Sequence, residues 1–479
     1  MRQLRLTCFG KPNWGNRACA LLLLCASTAI ASPAQTFTSL HSFGGADGRD
    51  PFAGLVQGAN GNLYGTTVLG GANTYGAVFT ITPSGTLTTL YSFGGKDGGN
   101  PDAALVQATN GNFYGTTQVG GTNNQGTVFK IAPGGALTTL YSFCPLSGCP
   151  DGLYSWALIQ ATDGNFYGTT YEGGANNGGT VFKITPGGTL TTLYSFCSQS
   201  GCPDGLYPQA GLVQAANGIF YGTTSVGGAN GQGTVFEITS GGALTTLYSF
   251  CSQTGCTDGY QPYAELIQAA DGNFYGTTSL GGINGHGTVF KITSGGTLTT
   301  LYDFCSQNGC PDGDGPLTSL VQATDGDFYG TTSAGGASGA YGTVFKITPG
   351  GTLTTLHSFD STDGETPSAL IQDTNGEFYG TTSGGGTNGY GTVFSLSVGL
   401  HPFVETLPAS GKVGAPVKIL GTKLKRATSV NFNGTPAVFK AVSNSLITTS
   451  VPKGASTGFV TVRTPSGTLK SNKRFRVKR

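Results

Sequence analysis

The chain has 479 residues, of which 10% are charged and 82 are glycine, with 24 Lys and Arg against 23 Asp and Glu. Glycine at this level without a G-X-Y period excludes collagen, and 10% aromatic residues exclude a disordered chain, which is aromatic-poor. The length accommodates two domains with sizeable cores, and many short strands joined by glycine turns fit the composition.

Residues 1–31 read as a secretory signal. Arg2, Arg5, Lys11 and Arg17 supply a positive n-region, and residues 18–31 form an apolar h-region too short to span as a mature helix. Ala29-Ile30-Ala31 is an A-x-A cleavage site, with Ala34 a second candidate. A lipoprotein reading would use Cys25, but Leu24 is not the small residue that a lipobox requires. No later segment has the length of a membrane-spanning helix, so a secreted, periplasmic or cell-surface protein without a mature transmembrane segment is expected.

The next element, F-T-S-L-H-S-F at 37–43, is a strand with alternating faces. After it the string Y-G-T-T begins seven times, at Tyr64, Tyr114, Tyr167, Tyr221, Tyr275, Tyr329 and Tyr379, at spacings of 50 to 54 residues. That period fits a four-stranded propeller blade. Each repeat carries four strand-like runs, such as A-L-V-Q-A (104–108), N-F-Y-G-T-T (112–117), G-T-V-F-K-I (126–131) and L-T-T-L-Y-S-F (87–93). The first is almost wholly apolar, as an innermost strand buried on both faces should be. Asn-Gly or Asp-Gly separates the first and second runs, at Asn60, Asn110, Asp163, Asn217, Asp271, Asp325 and Asn375, and is expected to form a type I′ turn.

The strand count gives the closure. The seventh repeat ends at G-T-V-F-S-L (391–396) without a fourth strand, whereas the run at 37–43 precedes every other strand. The N-terminal strand is therefore expected to complete the last blade and remove its exposed edge. The fold class expected is all-β: a seven-bladed β-propeller over 36–398, followed by an immunoglobulin-like β-sandwich over 402–479.

The motifs G-N-F-Y-G-T-T, G-T-V-F-K-I-T and G-G-T-L-T-T-L-Y-S-F over 37–397 resemble the GloVer tandem repeat, named for Gloeobacter and Verrucomicrobia. The resemblance implies an exported bacterial surface or extracellular protein and carries no activity with it. Residues 402–479 resemble an IPT/TIG domain through G-A-P-V-K-I-L-G-T-K-L (414–424), S-V-N-F-N-G-T-P-A (429–437), V-P-K-G-A-S-T-G-F-V-T-V (451–462) and F-R-V (475–477). Short alternating strands between Gly, Pro and Asn turns there read as a sandwich.

Eight cysteines follow the signal, in four C-x4-C pairs: Cys144 and Cys149, Cys197 and Cys202, Cys251 and Cys256, Cys305 and Cys310. In an exported chain these read as disulfides in the loops between blades. A zinc site would require C-x2-C with further ligands nearby; neither a metal nor a cofactor is expected.

Residues present in every blade most simply serve the blade. These include the inter-blade Asp-Gly (Asp47, Asp97, Asp151, Asp204, Asp258, Asp312, Asp363), read as a turn cap, and a recurrent Gln (Gln57, Gln107, Gln160, Gln214, Gln268, Gln322, Gln372), read as satisfying neighbouring backbone. Residues peculiar to one or two blades are the better ligand candidates. Tyr154, Trp156, Tyr207, Tyr260 and Tyr263 offer aromatic platforms for sugar rings, with Glu172 and Asp314 as polar partners. His286 is a lone loop histidine. No nucleophile elbow, H-E-x-x-H or phosphate loop is present, so no catalytic set is assigned.

Charge is divided along the chain. Residues 35–400 hold 6 Lys and Arg against 22 Asp and Glu, whereas residues 401–479 hold 14 Lys and Arg and a single acid, Glu405. The basic domain is expected either to dock on the acidic propeller or to hold an anionic envelope polymer; nucleic acid is not expected for an exported chain. The sequence thus favours an exported binding or scaffold protein that recognises glycans or envelope polymers. The alternatives are a secreted carbohydrate-active hydrolase or lyase and a purely structural surface component.

Overall fold

The computed structural model describes residues 35–337 and 339–478; the signal read over residues 1–31 lies outside them. Apart from two three-residue 3-10 turns, Thr254–Cys256 and Leu424–Arg426, every regular element among the described residues is a strand.

Residues 36–397 form seven antiparallel sheets, numbered here in chain order. In sheet 1 the strands are Val56–Gln57, Leu63–Thr67, Ala77–Ile81 and Leu87–Ser92, paired in that order. Sheets 2 to 6 repeat this plan. Sheet 7 takes its outer strand from the start of the chain: Thr36–Ser42 pairs antiparallel with Thr392–Ser397. The inner run is shorter than its sequence implies, with two ladder residues in most sheets and eight, Leu153–Gln160, in sheet 3. Its Val or Ile is half-buried while the preceding Leu is buried, because this strand forms the edge of its sheet.

Packing between sheets accounts for each letter of Y-G-T-T. The tyrosine ring lies over the Phe of the next sheet at centroid distances of 4.1–4.2 Å, from Tyr64 on Phe113 to Tyr329 on Phe378. Such pairs contribute roughly 0.5–1.5 kcal/mol beyond the area they bury. The phenol also bonds the turn Asn or Asp of its own sheet, as in Tyr167 to Asp163 at 2.9 Å. The glycine admits the neighbouring core. A Cβ on Gly222 would lie 2.7 Å from Cζ of Phe236 and 2.8 Å from Cδ2 of Leu212. The first threonine hydroxyl donates to a carbonyl on or just before the inner strand of the next sheet, as Thr116 does to Trp156 and Thr169 to Ala210, both at 2.9 Å. The second accepts a backbone N–H of the third strand, as Thr117 does from Thr127 at 3.0 Å.

The same contacts link sheet 7 to sheet 1. Thr381 donates to the Ala53 carbonyl at 3.1 Å, and Tyr379 and Val393 pack with Leu55, Leu63 and Phe79 in one buried cluster. This junction has Leu63 where the others have Phe, so Tyr379 meets an aliphatic neighbour. The recurrent glutamines also cross between sheets. Gln160 accepts from the Thr109 N–H at 3.0 Å, Gln214 from Thr162 at 2.9 Å, and Gln57 from Thr374 at 3.2 Å. The backbone role read from their recurrence is the one they perform.

The type I′ expectation is corrected. In the turn after each inner strand only the glycine has positive φ, +85° at Gly61 and +92° at Gly111, and the Asn or Asp before it does not. The Gly61 N–H bonds the Gly58 carbonyl, and the Gly58 N–H bonds Asn62. This is a type I turn closed by a left-handed glycine. It leaves the Asn60 side chain free to accept the Asn62 N–H and to bond Tyr64.

The C-terminal residues form a sandwich of two sheets. One contains Glu405–Leu407, Pro416–Leu420, Leu446–Ser450 and Phe439–Ala441. The other contains Ser410–Lys412, Gly467–Lys478, Gly458–Thr464, Ser429–Phe432 and Thr435–Ala437. Val417, Ile419, Val430, Phe432, Ile447, Val460, Val462 and Phe475 fill the space between them. This unit touches the Asn-Gly turn side of the sheets. Ser445 Oγ donates to the Ala59 carbonyl at 2.9 Å, Lys418 Nζ to Thr109 at 3.0 Å and Lys478 Nζ to Thr162 at 3.1 Å.

Candidate functional site

On the opposite face, each loop that follows a second strand folds against the loop that joins two sheets. Leu69 bridges Arg49, Val119 bridges Gly99 and Leu206 bridges Val226. The joining loop is held by its aspartate. Tyr141 bonds Asp151 at 2.9 Å, Tyr194 bonds Asp204 at 2.8 Å and Tyr248 bonds Asp258 at 2.7 Å. Histidine takes the tyrosine's place twice, as His41 to Asp47 at 2.7 Å and His357 to Asp363 at 2.8 Å. The same carboxylates accept loop N–H groups, such as Cys144 and Ser198 at 3.0 Å. Asp-Gly is thus a structural cap.

All four expected disulfides are formed, Cys144–Cys149, Cys197–Cys202, Cys251–Cys256 and Cys305–Cys310. His286 lies close to Cys305 and Cys310. The sulfurs are consumed in the disulfide, which removes the thiolates a metal would bind. The His286 Nδ1 instead meets Asp314 Oδ1 at 2.9 Å.

Two residues before the Val or Ile of each inner strand, the seven sheets have equivalent positions: Gly54, Ala104, Ala157, Gly211, Glu265, Ser319 and Ala369. A Cβ on Gly54 would sit 3.3 Å from that of Ala369, and one on Gly211 3.0 Å from that of Ala157 and 2.8 Å from Glu265 Oε2. Six of the seven are small. Glu265 is the single acid among them, and burial pushes its carboxyl up to about 7, against the lowering field of Lys473 from the C-terminal unit.

Two positions before these stand Asp102 in sheet 2 and Tyr263 in sheet 5. Burial pushes Asp102 up to about 6, partly offset by the Gln118 amide that donates to it at 2.7 Å. Near the end of the second strand of sheet 3, Tyr171 stacks on Tyr207 with centroids 4.7 Å apart and planes 29° from parallel. Burial raises the Tyr171 phenol first, and its neighbours Tyr207, Glu172 and Tyr263 raise it further. The Trp156 indole N–H is buried without a partner on the adjoining inner strand.

Of the residues singled out in the sequence, Tyr207, Tyr263 and Glu172 therefore gather around Tyr171, and Trp156 belongs to the inner strand of the same sheet. Tyr154 holds a left-handed backbone position, φ +56°, with its N–H bonded to Gln125. Tyr260 packs against the buried cluster of Tyr221, Phe250 and Leu266, which makes it a packing residue. Asp314 is committed to His286. Tyr171, Asp102, Gln118 and Glu265 escaped the sequence reading. Their signal was present, since Tyr171 and Gln118 stand where sheets 4 to 7 have Ser225, Ser279, Ser333 and Ser383.

No helix among the described residues is long and apolar enough to cross a membrane. Among functionally curated proteins no sequence match is found. Solved structures with a similar fold include the extracellular domain of a hybrid two-component system of Bacteroides thetaiotaomicron, with 13% identity, TM-score 0.51, 92% of this chain and 54% of that one covered. PorZ, a surface component of the type-IX secretion system of Porphyromonas gingivalis, matches with 15% identity and TM-score 0.50, covering 92% of this chain and 60% of its own. A second two-component extracellular domain from B. thetaiotaomicron matches with 11% identity and TM-score 0.50, covering 94% and 60%. The chain thus spans only 54–60% of the length of these structures, and at such identities the likeness is one of fold. The model of the Gloeobacter/Verrucomicrobia repeat matches residues 28–216, 147–311 and 215–410, and that of the IPT/TIG domain matches residues 403–477. With seven copies of one packing unit and these matches over most of its length, the chain belongs to the Gloeobacter/Verrucomicrobia repeat family and ends in an IPT/TIG domain.

Proposed function

We propose that this protein is an exported, cell-surface or extracellular binding protein in which a closed seven-bladed β-propeller presents an aromatic glycan site at the mouth of its central channel. Closure is supported by the pairing of Thr36–Ser42 with Thr392–Ser397 and by the buried contacts between sheets 7 and 1. Export is supported by four disulfides, which persist in oxidising compartments, and the fold recurs in extracellular domains of bacterial hybrid two-component systems.

The observation that carries the glycan reading is the Tyr171–Tyr207 stack beside Tyr263. Half-buried aromatic faces with a carboxylate beside them, here Glu172, suit sugar rings, which offer an apolar C–H face and a hydroxyl rim. Titration calorimetry against a panel of neutral polysaccharides tests it. Binding by the full chain is expected to weaken at least tenfold in Tyr171→Ala and in Tyr263→Ala, with melting temperature unchanged. Equal affinity of both variants and the parent would overturn the site. Turnover of a polysaccharide abolished by Asp102→Asn would replace the binding reading with an enzymatic one.

A further inference from the structure

A second surface lies in the IPT/TIG domain, away from the aromatic mouth. Three loops at one end of the sandwich converge on an open cleft of about 710 Å³, lined by Lys423, Lys425, Arg426, Asn444, Pro465 and Ser466. The volume falls in the range of ligand-binding clefts. Lys425 and Arg426 lie on a short 3-10 turn that Lys423 precedes, anchored by buried Leu424, whose N–H bonds the Asn444 carbonyl at 2.9 Å. Lys423 takes left-handed backbone, φ +55°, to enter that turn. All three cationic side chains are exposed, and none has an acidic partner among the described residues. The only acid of the domain, Glu405, is half-buried elsewhere, in the field of Lys473.

Clustered cations without counter-charges repel one another, and an anion that enters the cleft relieves that repulsion. Asn444 and Ser466 add hydrogen-bonding groups beside them. The chemistry of the lining narrows the class of anion. No aromatic ring lines the cleft, so unpaired bases have nothing to stack on. No large apolar side chain lines it either, so there is nothing to insert among acyl chains. We infer that this cleft binds an anionic polysaccharide, a chain whose carboxylate or sulfate groups engage Lys423, Lys425 and Arg426. This site is independent of the aromatic mouth and of what binds there.

The test uses the full chain at about 0.15 M salt, with polygalacturonate and dextran sulfate as probes. Neutral dextran, duplex DNA and phosphatidylglycerol vesicles serve as comparators. The combined variant Lys423→Ala, Lys425→Ala, Arg426→Ala is expected to bind its polysaccharide at least tenfold more weakly. The charge-matched variant Lys440→Ala, Lys453→Ala, Arg463→Ala is expected to lose less than twofold. Because Lys423 occupies a left-handed position, the pair Lys425→Glu, Arg426→Glu provides a second variant that leaves the turn's backbone residue in place, and it should bind no better than the triple. Equal losses in the two charge-matched triples would overturn the inference in favour of a diffuse field. Failure to bind either polyanion, or tighter binding of DNA or vesicles, would overturn it as well. Carboxylate and sulfate sources are distinguished by which of the two probes binds more tightly.

Discussion

On the turn face of the ring the repeat is kept: Asn or Asp bonds tyrosine in all seven sheets, and a glutamine reaches across to the neighbouring backbone. On the loop face, positions 102, 118, 156, 171, 207 and 263 vary from sheet to sheet while the capping aspartates and the threonines beneath them stay constant. Identical residues carry load that every sheet must share. Singular residues stand on the loop face, and they are tolerated because the layer below already satisfies the backbone.

Three perturbations sharpen this contrast. The largest effect is expected from the shared layer. Gly222→Val pushes a branched side chain into Phe236 and Leu212, and such overpacking costs about 1–3 kcal/mol, read as a fall in the denaturation midpoint. Next comes the exception among the inner-strand positions. The Glu265 carboxyl is raised by burial to about 7 in the folded chain against an ordinary value of 4.5, so ionisation opposes folding as pH rises through that interval. Glu265→Gln should therefore match the parent near pH 4 and exceed it by about 1–2 kcal/mol at pH 8, measured by denaturant titration at both values. Identical pH profiles would place this carboxylate in water. The smallest effect is expected on the turn face, where Lys418→Ala and Lys478→Ala each remove one exposed bond to a carbonyl. Each should lower stability by no more than about 1 kcal/mol.

The architecture was legible because it is periodic. Y-G-T-T, the turn glycines and the reciprocal strand deficit at 37–43 and 391–396 all announced the sheet plan, and the C-x4-C spacing announced the disulfides. The turn type was misread, since Asn-Gly is shared by two hairpin classes, and the phenol of Tyr64 decides between them by engaging Asn60. Tyr260 looked like a platform because its loop is variable, yet it is partly buried against the cluster that contains Phe250. Tyr171, Asp102, Gln118 and Glu265 were hidden for a different reason. They stand at positions that differ among the sheets, and sequence alone does not say which of these variable positions are buried or which rings stack, as Tyr171 does on Tyr207.

The pairing of Thr36–Ser42 with Thr392–Ser397 has a consequence for assembly. Six of the seven sheets pair only strands that follow one another in sequence, but this rung joins segments some 350 residues apart along the chain, and such non-local closure is slow. Until it forms, Thr392–Ser397 is a bare strand edge. The same seven residues from another molecule fit that edge in the same register. Refolding at low concentration is therefore expected to give the self-paired monomer, and refolding at high concentration strand-exchanged dimers, which gel filtration separates.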